Sequence, residues 1–135
     1  MSVSGLCFDP ATNAWTEAAT PTDANGETVS LGGGAAVAIG DKIVCAGGVN
    51  KDVFLEALNG KFERTFYLTQ ELAWYKFNRN ILVYDTTNDS WQVAAEAENG
   101  ARAGAAMVAH GNTVIFINGE LKPGIRTPMT SRFAF

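Results

Sequence analysis

The 135-residue sequence contains a single histidine, His110, and only two cysteines, Cys7 and Cys45. Zinc and copper sites are usually built from clusters of histidine and cysteine side chains. These three residues lie far apart in the sequence, so they do not indicate a metal site. Both cysteines fall in apolar, strand-like runs, and we expect them to be buried as small hydrophobic side chains. His110 directly precedes a glycine turn, so it is expected at the edge of that turn.

Charged residues and long apolar runs are also scarce. Charged residues make up 18% of the sequence, and the formal net charge is -4. An acidic chain disfavours binding to nucleic acid or to an anionic membrane surface, so we expect neither partner. No apolar run approaches the roughly 20 residues of a membrane span. Residues 1–10 lack the basic start and apolar core of a secretory signal. The hydrophobic fraction of 47% indicates a folded domain.

What the sequence does contain is an internal repeat. Residues 8–15 read FDPATNAW, and residues 84–91 read YDTTNDSW, so each copy has a tryptophan seven positions after an aromatic residue. A second pattern starts at GAAV (34–37) and again at GAAM (104–107), and each copy passes through a glycine turn to a later glycine. Each copy predicts a β-hairpin, because strand-forming residues flank a short polar or glycine turn. Repetition of such hairpins is typical of propellers.

The repeated pattern resembles the kelch repeat, which combines an apolar strand, paired glycines, an aromatic-Asp pair and a tryptophan. Kelch units fold as four-stranded blades around a central channel. The resemblance implies an all-β fold, a fragment of a kelch-type β-propeller of about two blades. We expect residues 1–20 to end one blade, residues 30–95 to form a full blade and residues 102–135 to start the next. Because a propeller needs at least four blades to close, we expect further blades in the parent protein.

A helical insertion is predicted within the full blade, at residues 51–76. Apolar side chains recur there every four residues, as on one face of a helix: Phe54, Leu58, Phe62 and Phe66. Gly60 interrupts this pattern, which favours two short helices. The insertion could simply cover apolar surface, or it could cap one end of the propeller channel, and the two roles are compatible.

Three charged side chains, Glu120, Lys122 and Arg126, follow a predicted buried strand in a segment punctuated by glycine and proline. This segment follows the second strand of its blade, and the helical insertion follows the second strand of the previous blade. Equivalent connections in neighbouring blades emerge on the same face of a propeller. We therefore expect the three charged residues to lie on the rim that the insertion can cover.

Residues 118–127, NGELKPGIRT, resemble the Asn-Gly-Glu-x-Lys-Pro-Gly-x-Arg-Thr loop of the bacterial N-acetylneuraminate epimerases, or sialic acid mutarotases. Further matches lie at residues 47–50, 77–79 and 104–106, while the sequence departs from the family pattern after Thr127. The resemblance implies a six-bladed propeller, a periplasmic location and an isomerase that interconverts the α and β anomers of N-acetylneuraminate without metal or cofactor. Some of these enzymes are circularly permuted, so the resemblance leaves the blade order of the parent open.

The resemblance assigns the role of general base to Glu120 and makes Arg126 a candidate for binding the sugar carboxylate. Lys122 could add a positive charge to the substrate site, but a lysine more often pairs with a neighbouring acid or with solvent. Mutarotation needs a base and an acid, and arginine offers two parallel donors to a carboxylate. Asn50 and Arg79 are weaker candidates for substrate contact. Asn50 could equally cap a helix, and Glu120 could instead form a surface ion pair with Arg126 or Lys122.

The three tryptophans are predicted to have two different roles. Trp15 and Trp91 are expected in blade cores, whereas Trp74 could face a sugar.

The alternative function is a non-catalytic kelch module that binds a glycan or a protein, because one fold supports many functions. A kelch-type copper oxidase is disfavoured by the single histidine. In either reading the 135 residues alone are expected to be inactive.

Overall fold

The computed structural model describes residues 3–134, which form antiparallel sheets and one helical segment. Strands β1 (Gly5–Asp9) and β2 (Ala14–Ala18) form a two-stranded hairpin. Phe8 pairs with Trp15 across this hairpin, and their ring centroids lie 4.9 Å apart. The two aromatic residues of the first repeat copy therefore lie opposite each other on the two strands of one hairpin.

The second sheet contains four strands in sequence order: β3 (Ala35–Ile39), β4 (Lys42–Ala46), β5 (Asn80–Asp85) and β6 (Ser90–Glu96). Tyr84 pairs with Trp91 across β5 and β6, with ring centroids 5.0 Å apart. This contact repeats the one in the first hairpin, so the sequence repeat corresponds to one structural unit built twice. The predicted turn between β3 and β4 is confirmed, with Gly40 at a φ of 59°.

The third sheet begins with the hairpin of β7 (Ala106–His110) and β8 (Thr113–Ile117). The chain then forms a small separate hairpin of β9 (Glu120–Lys122) and β10 (Ile125–Arg126). It returns as β11 (Thr130–Ala134), which pairs with β8 on the side away from β7. The segment that carries Glu120, Lys122 and Arg126 is thus the short β9–β10 hairpin, which we call the charged hairpin.

The predicted helical insertion is confirmed. It consists of α1 (Lys51–Leu58), α2 (Arg64–Thr69) and a 3-10 turn at Leu72–Tyr75. Its aromatic side chains pack against one another in a cluster: Phe62, Phe66, Tyr67, Trp74 and Tyr75. The predicted apolar face is only partly covered, since Leu58 is 67% exposed. No helix within residues 3–134 is long and apolar enough to cross a bilayer.

The main hydrophobic core lies between the second and third sheets and is formed by β4, β5 and β8: Val44, Ala46, Ile81, Val83, Val114 and Phe116. Strand β3 lies beside β7 at this contact. The backbone N–H of Gly104 donates to the carbonyl of Gly33 at 2.7 Å, which links the two sheets directly. The two sheets therefore pack side by side, as neighbouring blades of a propeller do.

Two burial predictions are wrong and two are supported. Cys7 is exposed and Trp15 is 65% exposed, because the β1–β2 hairpin makes few contacts with the other strands and helices of the described chain. Cys45 is buried, and burial raises the pKa of its thiol to about 11. Trp91 is half-buried, and its indole N–H donates to the Ala19 carbonyl at 2.8 Å. The blade boundaries at 1–20, 30–95 and 102–135 stay predictions.

Candidate active site

The charged hairpin is anchored to the chain segment that enters the third sheet. The backbone N–H of Glu120 donates to the Ala103 carbonyl at 2.7 Å, and the Ala103 N–H donates to the Glu120 carbonyl at 2.9 Å. The N–H of Thr127 donates to the Gly119 carbonyl at 2.9 Å, which closes the base of the hairpin. These backbone bonds fix Glu120 in space independently of its side chain.

Glu120 and Arg126 are partners in the register of β9 and β10. The register shifts between Ile125 and Arg126, so this pairing is irregular and does not by itself set the face on which the Glu120 and Arg126 side chains lie. Both line one cleft of about 640 Å³, together with Asn118 and Thr127. The structure therefore brings together the carboxylate and the guanidinium that the sequence singled out.

The Glu120 carboxylate is held by the tip of its own hairpin. Its Oε1 accepts a hydrogen bond of 2.9 Å from the backbone N–H of Gly124. Within the described chain it forms no ion pair with Lys122 or Arg126, so the surface ion pair considered as an alternative role is not formed. A half-buried carboxylate that one backbone donor orients retains a second oxygen for another partner.

Lys122 makes a different contact from the one expected of a carboxylate ligand. Its Nζ donates to the backbone carbonyl of Gln70 at 2.5 Å, and it lies 5.9 Å from the ring centroid of Tyr75. Lys122 thus ties the charged hairpin to the helical insertion. This contact agrees with the expectation that both segments share one face of the propeller.

Asn50 caps helix α1, which was one of its two predicted roles. Its side-chain oxygen accepts from the N–H groups of Asp52 at 3.1 Å and Val53 at 3.0 Å. Asn50 also lines a small cavity of about 70 Å³ that Glu120 and Tyr67 share. It lies near the candidate base, but its oxygen is occupied by the helix.

Replacing Asn50 with alanine is expected to lower the free energy of unfolding by about 1 kcal/mol, because α1 loses both of these bonds. Asn50→Asp retains an acceptor oxygen and is expected to have a much smaller effect. Urea unfolding followed by circular dichroism measures both. Equal losses in the two variants would contradict the capping role.

Arg79 is not brought to the cleft that Glu120 lines. It forms ion pairs with Glu96 and, at 2.6 Å, with Glu98, and it lines a separate cleft of about 560 Å³ with Lys76 and other residues. Exposed ion pairs of this kind contribute little to stability. Arg79 is thus engaged by two carboxylates, and the cleft that it lines also includes Leu121 of the charged hairpin.

Trp74 lies within the aromatic cluster of the insertion. It meets Phe62 and Tyr75 edge-on, at centroid distances of 5.1 and 5.2 Å. No three His, Cys, Asp or Glu side chains within residues 3–134 are close enough together to hold a metal ion.

Sequence reasoning missed Arg102, which is completely buried. Its guanidinium donates to the carbonyls of Asn118 at 2.9 Å and Met129 at 2.6 Å, and to the Ser131 hydroxyl at 2.7 Å. It also lies 4.4 Å from the ring centroid of Phe116, and burial lowers its pKa. Because Asn118 and Met129 flank the charged hairpin, Arg102 holds both of its ends.

Tyr67 of helix α2 was missed as well. It lines two cavities with Glu120, the small one already described and a groove of about 450 Å³ that also includes Phe54 and Pro123. Burial raises the pKa of the Tyr67 phenol, and the negative charge of Glu120 raises it further. The phenol therefore lies within electrostatic reach of the carboxylate. A lone tyrosine in a helix of aromatic residues gave no sequence signal for this.

Comparison with known proteins bears on this arrangement. Residues 3–135 match the profile of the N-acetylneuraminate epimerase family. The chain belongs to this family. An N-acetylneuraminate epimerase of Yersinia enterocolitica is 33% identical over 131 residues, which cover 89% of this chain and 32% of the relative. One of Vibrio vulnificus is 29% identical over 142 residues, covering 95% and 36%. The chain thus spans about a third of the length of these curated relatives.

A solved structure, that of YjhT, resembles the chain with a TM-score of 0.79 and 28% identity. The match covers 98% of this chain and 40% of that one. The predicted fold, a mainly antiparallel β-propeller fragment with a short helical insertion, is thereby confirmed. The family resemblance inferred from the charged hairpin is confirmed too.

Proposed function

We propose that this chain supplies the catalytic base of an isomerase that accelerates the interconversion of the α and β anomers of N-acetylneuraminate. Membership of the epimerase family supports the activity and the substrate. The observation that carries the proposal is that Glu120 and Arg126, register partners in the charged hairpin, line one cleft. We assign the base to Glu120 and the recognition of the sugar carboxylate to Arg126.

The groups that catalyse this reaction need only to transfer protons while the sugar ring opens and closes. Glu120 takes the proton of the anomeric hydroxyl while the bond between the anomeric carbon and the ring oxygen breaks, and the ring oxygen receives a proton from an acid. The open-chain keto acid rotates about the bond next to its carbonyl. Ring closure on the other face of that carbonyl reverses both proton transfers. Arg126 would hold the substrate carboxylate through two parallel N–H donors during these steps.

Asn50, Lys122 and Arg79 have weaker claims to substrate contact. Asn50 could offer its amide N–H groups to the sugar while its oxygen caps α1. Lys122 would act mainly by tying the charged hairpin to the insertion. Arg79 would reach the substrate only by leaving its two carboxylate partners. All three are therefore secondary candidates for substrate contact, in that order.

We further propose that other blades complete the site. The chain spans about a third of its curated relatives, and its first sheet has two strands against four in the second. The charged hairpin and the insertion would then form one sector of a rim closed by further blades. The family resemblance suggests a periplasmic location, which stays a proposal.

Exchange spectroscopy by proton NMR tests the proposed activity. The intact gene product that carries these residues is expected to speed exchange between the two anomers of N-acetylneuraminate well above the spontaneous rate. Residues 1–135 expressed alone are expected to leave the exchange at the spontaneous rate. An intact gene product that gives only the spontaneous rate would refute the isomerase proposal.

A non-catalytic binding module is the second candidate. The observation in its favour is the exposed apolar surface of the insertion, where Leu58 is 67% and Phe66 48% exposed. Such a surface beside a charged cleft suits a glycan or protein partner. Saturable binding of the sugar to the intact gene product, without faster anomeric exchange, would favour this function over the first.

A further inference from the structure

The proposed mechanism leaves the acid that serves the ring oxygen unassigned. A group suited to this role has to share a cavity with Glu120, carry a proton at neutral pH and be held by a rigid element. Lys122 is bonded to the Gln70 carbonyl, and Arg126 is assigned to the substrate carboxylate. Tyr75 also lines a cavity with Glu120, but its hydroxyl donates to the Tyr67 backbone carbonyl. Tyr67 shares two cavities with Glu120 and combines all three properties.

We propose that the Tyr67 phenol is the second catalytic group of this site, donating a proton to the ring oxygen as Glu120 removes one from the anomeric hydroxyl. This inference rests on the proposed function and deepens it. The cavity that the two residues share lies between helix α2 and the tip of the charged hairpin at Pro123. The helical insertion would then contribute chemistry to the site in addition to covering it.

The surroundings of Tyr67 fix the direction of its ring. The backbone N–H of Tyr67 donates to the Glu63 carbonyl at 2.9 Å, and its carbonyl accepts the hydroxyl of Tyr75. The Tyr67 ring lies nearly parallel to that of Phe62, at an interplanar angle of 5°, and meets Trp74 edge-on. A ring held by contacts on several sides presents its hydroxyl in one direction, which is what a positioned acid requires.

The protonation state of the phenol suits a donor. Burial and the charge of Glu120 both raise the pKa of Tyr67 above the usual value for tyrosine, so the phenol keeps its proton at neutral pH. In the ring-opening step the phenol gives its proton to the ring oxygen and becomes a phenolate. In the closing step the phenolate takes the proton of the hydroxyl that attacks the carbonyl, while Glu120 returns its proton to the carbonyl oxygen. No proton or electron is left over.

Tyr67→Phe in the intact gene product tests the proposal. It retains the ring and its aromatic contacts, so we expect an unchanged unfolding temperature. The maximal exchange rate is expected to fall by about 10²-fold, with little change in KM, since a positioned acid contributes roughly this factor. Tyr84→Phe is the matched control. It removes a phenol whose hydroxyl bonds to Asp89, outside the cavities that Glu120 lines, and is expected to leave the rate unchanged.

A double variant separates chemistry from packing. If Tyr67 and Glu120 act in one concerted proton exchange, adding Tyr67→Phe to Glu120→Gln should cost little beyond the single Glu120→Gln change, because effects of groups that act as a unit are not additive. A merely structural tyrosine would give additive losses. If the rate losses of the two single variants multiply in the double variant, or if Tyr67→Phe keeps the wild-type rate, the proposal is overturned. If the wild-type protein itself shows only the spontaneous rate, the function proposal fails instead.

Titration provides a readout that does not depend on turnover. The phenol pKa of Tyr67 is expected to move down toward the ordinary value in Glu120→Gln, because one cause of its elevation is removed. NMR of tyrosine labelled with ¹³C at the ring carbon bearing the hydroxyl follows this pKa, and Tyr67→Phe assigns the signal. An unchanged phenol pKa in Glu120→Gln would show that the two groups do not interact and would overturn the proposal.

Discussion

Replacing Glu120 with glutamine is expected to reduce the enzyme-dependent rate of anomeric exchange by about 10²- to 10⁴-fold, the usual contribution of a general base. An amide cannot accept the proton of the anomeric hydroxyl at neutral pH. It can still accept the hydrogen bond that the Gly124 N–H now gives to Oε1. The shape of the charged hairpin should therefore survive the loss of the base.

Two features make this substitution a clean test. The backbone bonds between Glu120 and Ala103 do not involve the side chain, so the hairpin stays anchored. Arg126 is untouched, so binding of the sugar carboxylate is expected to persist. Exchange spectroscopy gives the rate, and a sugar titration followed by NMR gives the affinity.

Glu56→Gln is the matched control for this experiment. Glu56 lies in helix α1, pairs with Lys61 and lines none of the cavities that contain Glu120. Its rate is expected to equal that of the wild-type protein. A Glu120→Gln protein that keeps the wild-type rate would remove Glu120 from the mechanism, whatever becomes of the family assignment.

Much of the fold could be predicted because local signals and the repeat agree. An aromatic residue and a tryptophan seven positions apart place the two rings opposite each other in a hairpin, and this holds for Phe8 with Trp15 and for Tyr84 with Trp91. The glycine turn at Gly40 and the helix cap at Asn50 are equally local. Such features depend on a few neighbouring residues, so the sequence alone carries them.

Burial depends instead on what lies across the sheet. Trp15 and Trp91 have equivalent positions in the repeat, yet Trp15 is 65% exposed and Trp91 is half-buried. Trp91 has a partner outside its own sheet, because its indole N–H donates to the carbonyl of Ala19, just after β2. Trp15 lies in a hairpin that makes few contacts with the other strands and helices of the described chain. A repeat predicts which residues are equivalent but not which neighbours each copy has.

The residues of the candidate site also differ in how far the sequence could predict their contacts. The pairing of Glu120 with Arg126 follows from one short hairpin and was anticipated from one sequence motif. The partners of Lys122 and Arg79 depend on where a carbonyl and two glutamates fall in space. Arg102 had no neighbouring acid in the sequence to mark it, because its guanidinium donates to backbone carbonyls that are 16 and 27 residues away.

Replacing Gly47 with alanine is expected to lower the free energy of unfolding by more than about 4 kcal/mol, a loss seen only when a substitution breaks a specific feature. A Cβ atom at Gly47 would lie 2.2 Å from the carbonyl oxygen of Arg102, and Gly47 has a φ of 73°. That oxygen also accepts the N–H of Gly48 at 2.9 Å, so it lies at the contact between the second and third sheets. Relieving the clash requires the backbone to shift where the two sheets meet.

Gly40→Ala separates the clash from backbone strain. Gly40 has a similar φ of 59°, but a Cβ there would meet no atom within 4 Å. This control is expected to cost only about 1–2 kcal/mol, the penalty for placing alanine in a left-handed conformation. Urea unfolding of both variants measures the difference, and equal losses would show that the sheets adjust to the added methyl group without resistance.

The Gly47→Ala substitution should also disturb the candidate active site. Displacing the Arg102 backbone shifts the guanidinium that holds Asn118 and Met129, and these residues flank the charged hairpin. Gly47→Ala is therefore expected to reduce anomeric exchange even at temperatures where the protein stays folded, whereas Gly40→Ala is expected to leave the rate unchanged. A folded Gly47→Ala protein with the wild-type rate would show that the contact between the sheets does not govern the position of Glu120.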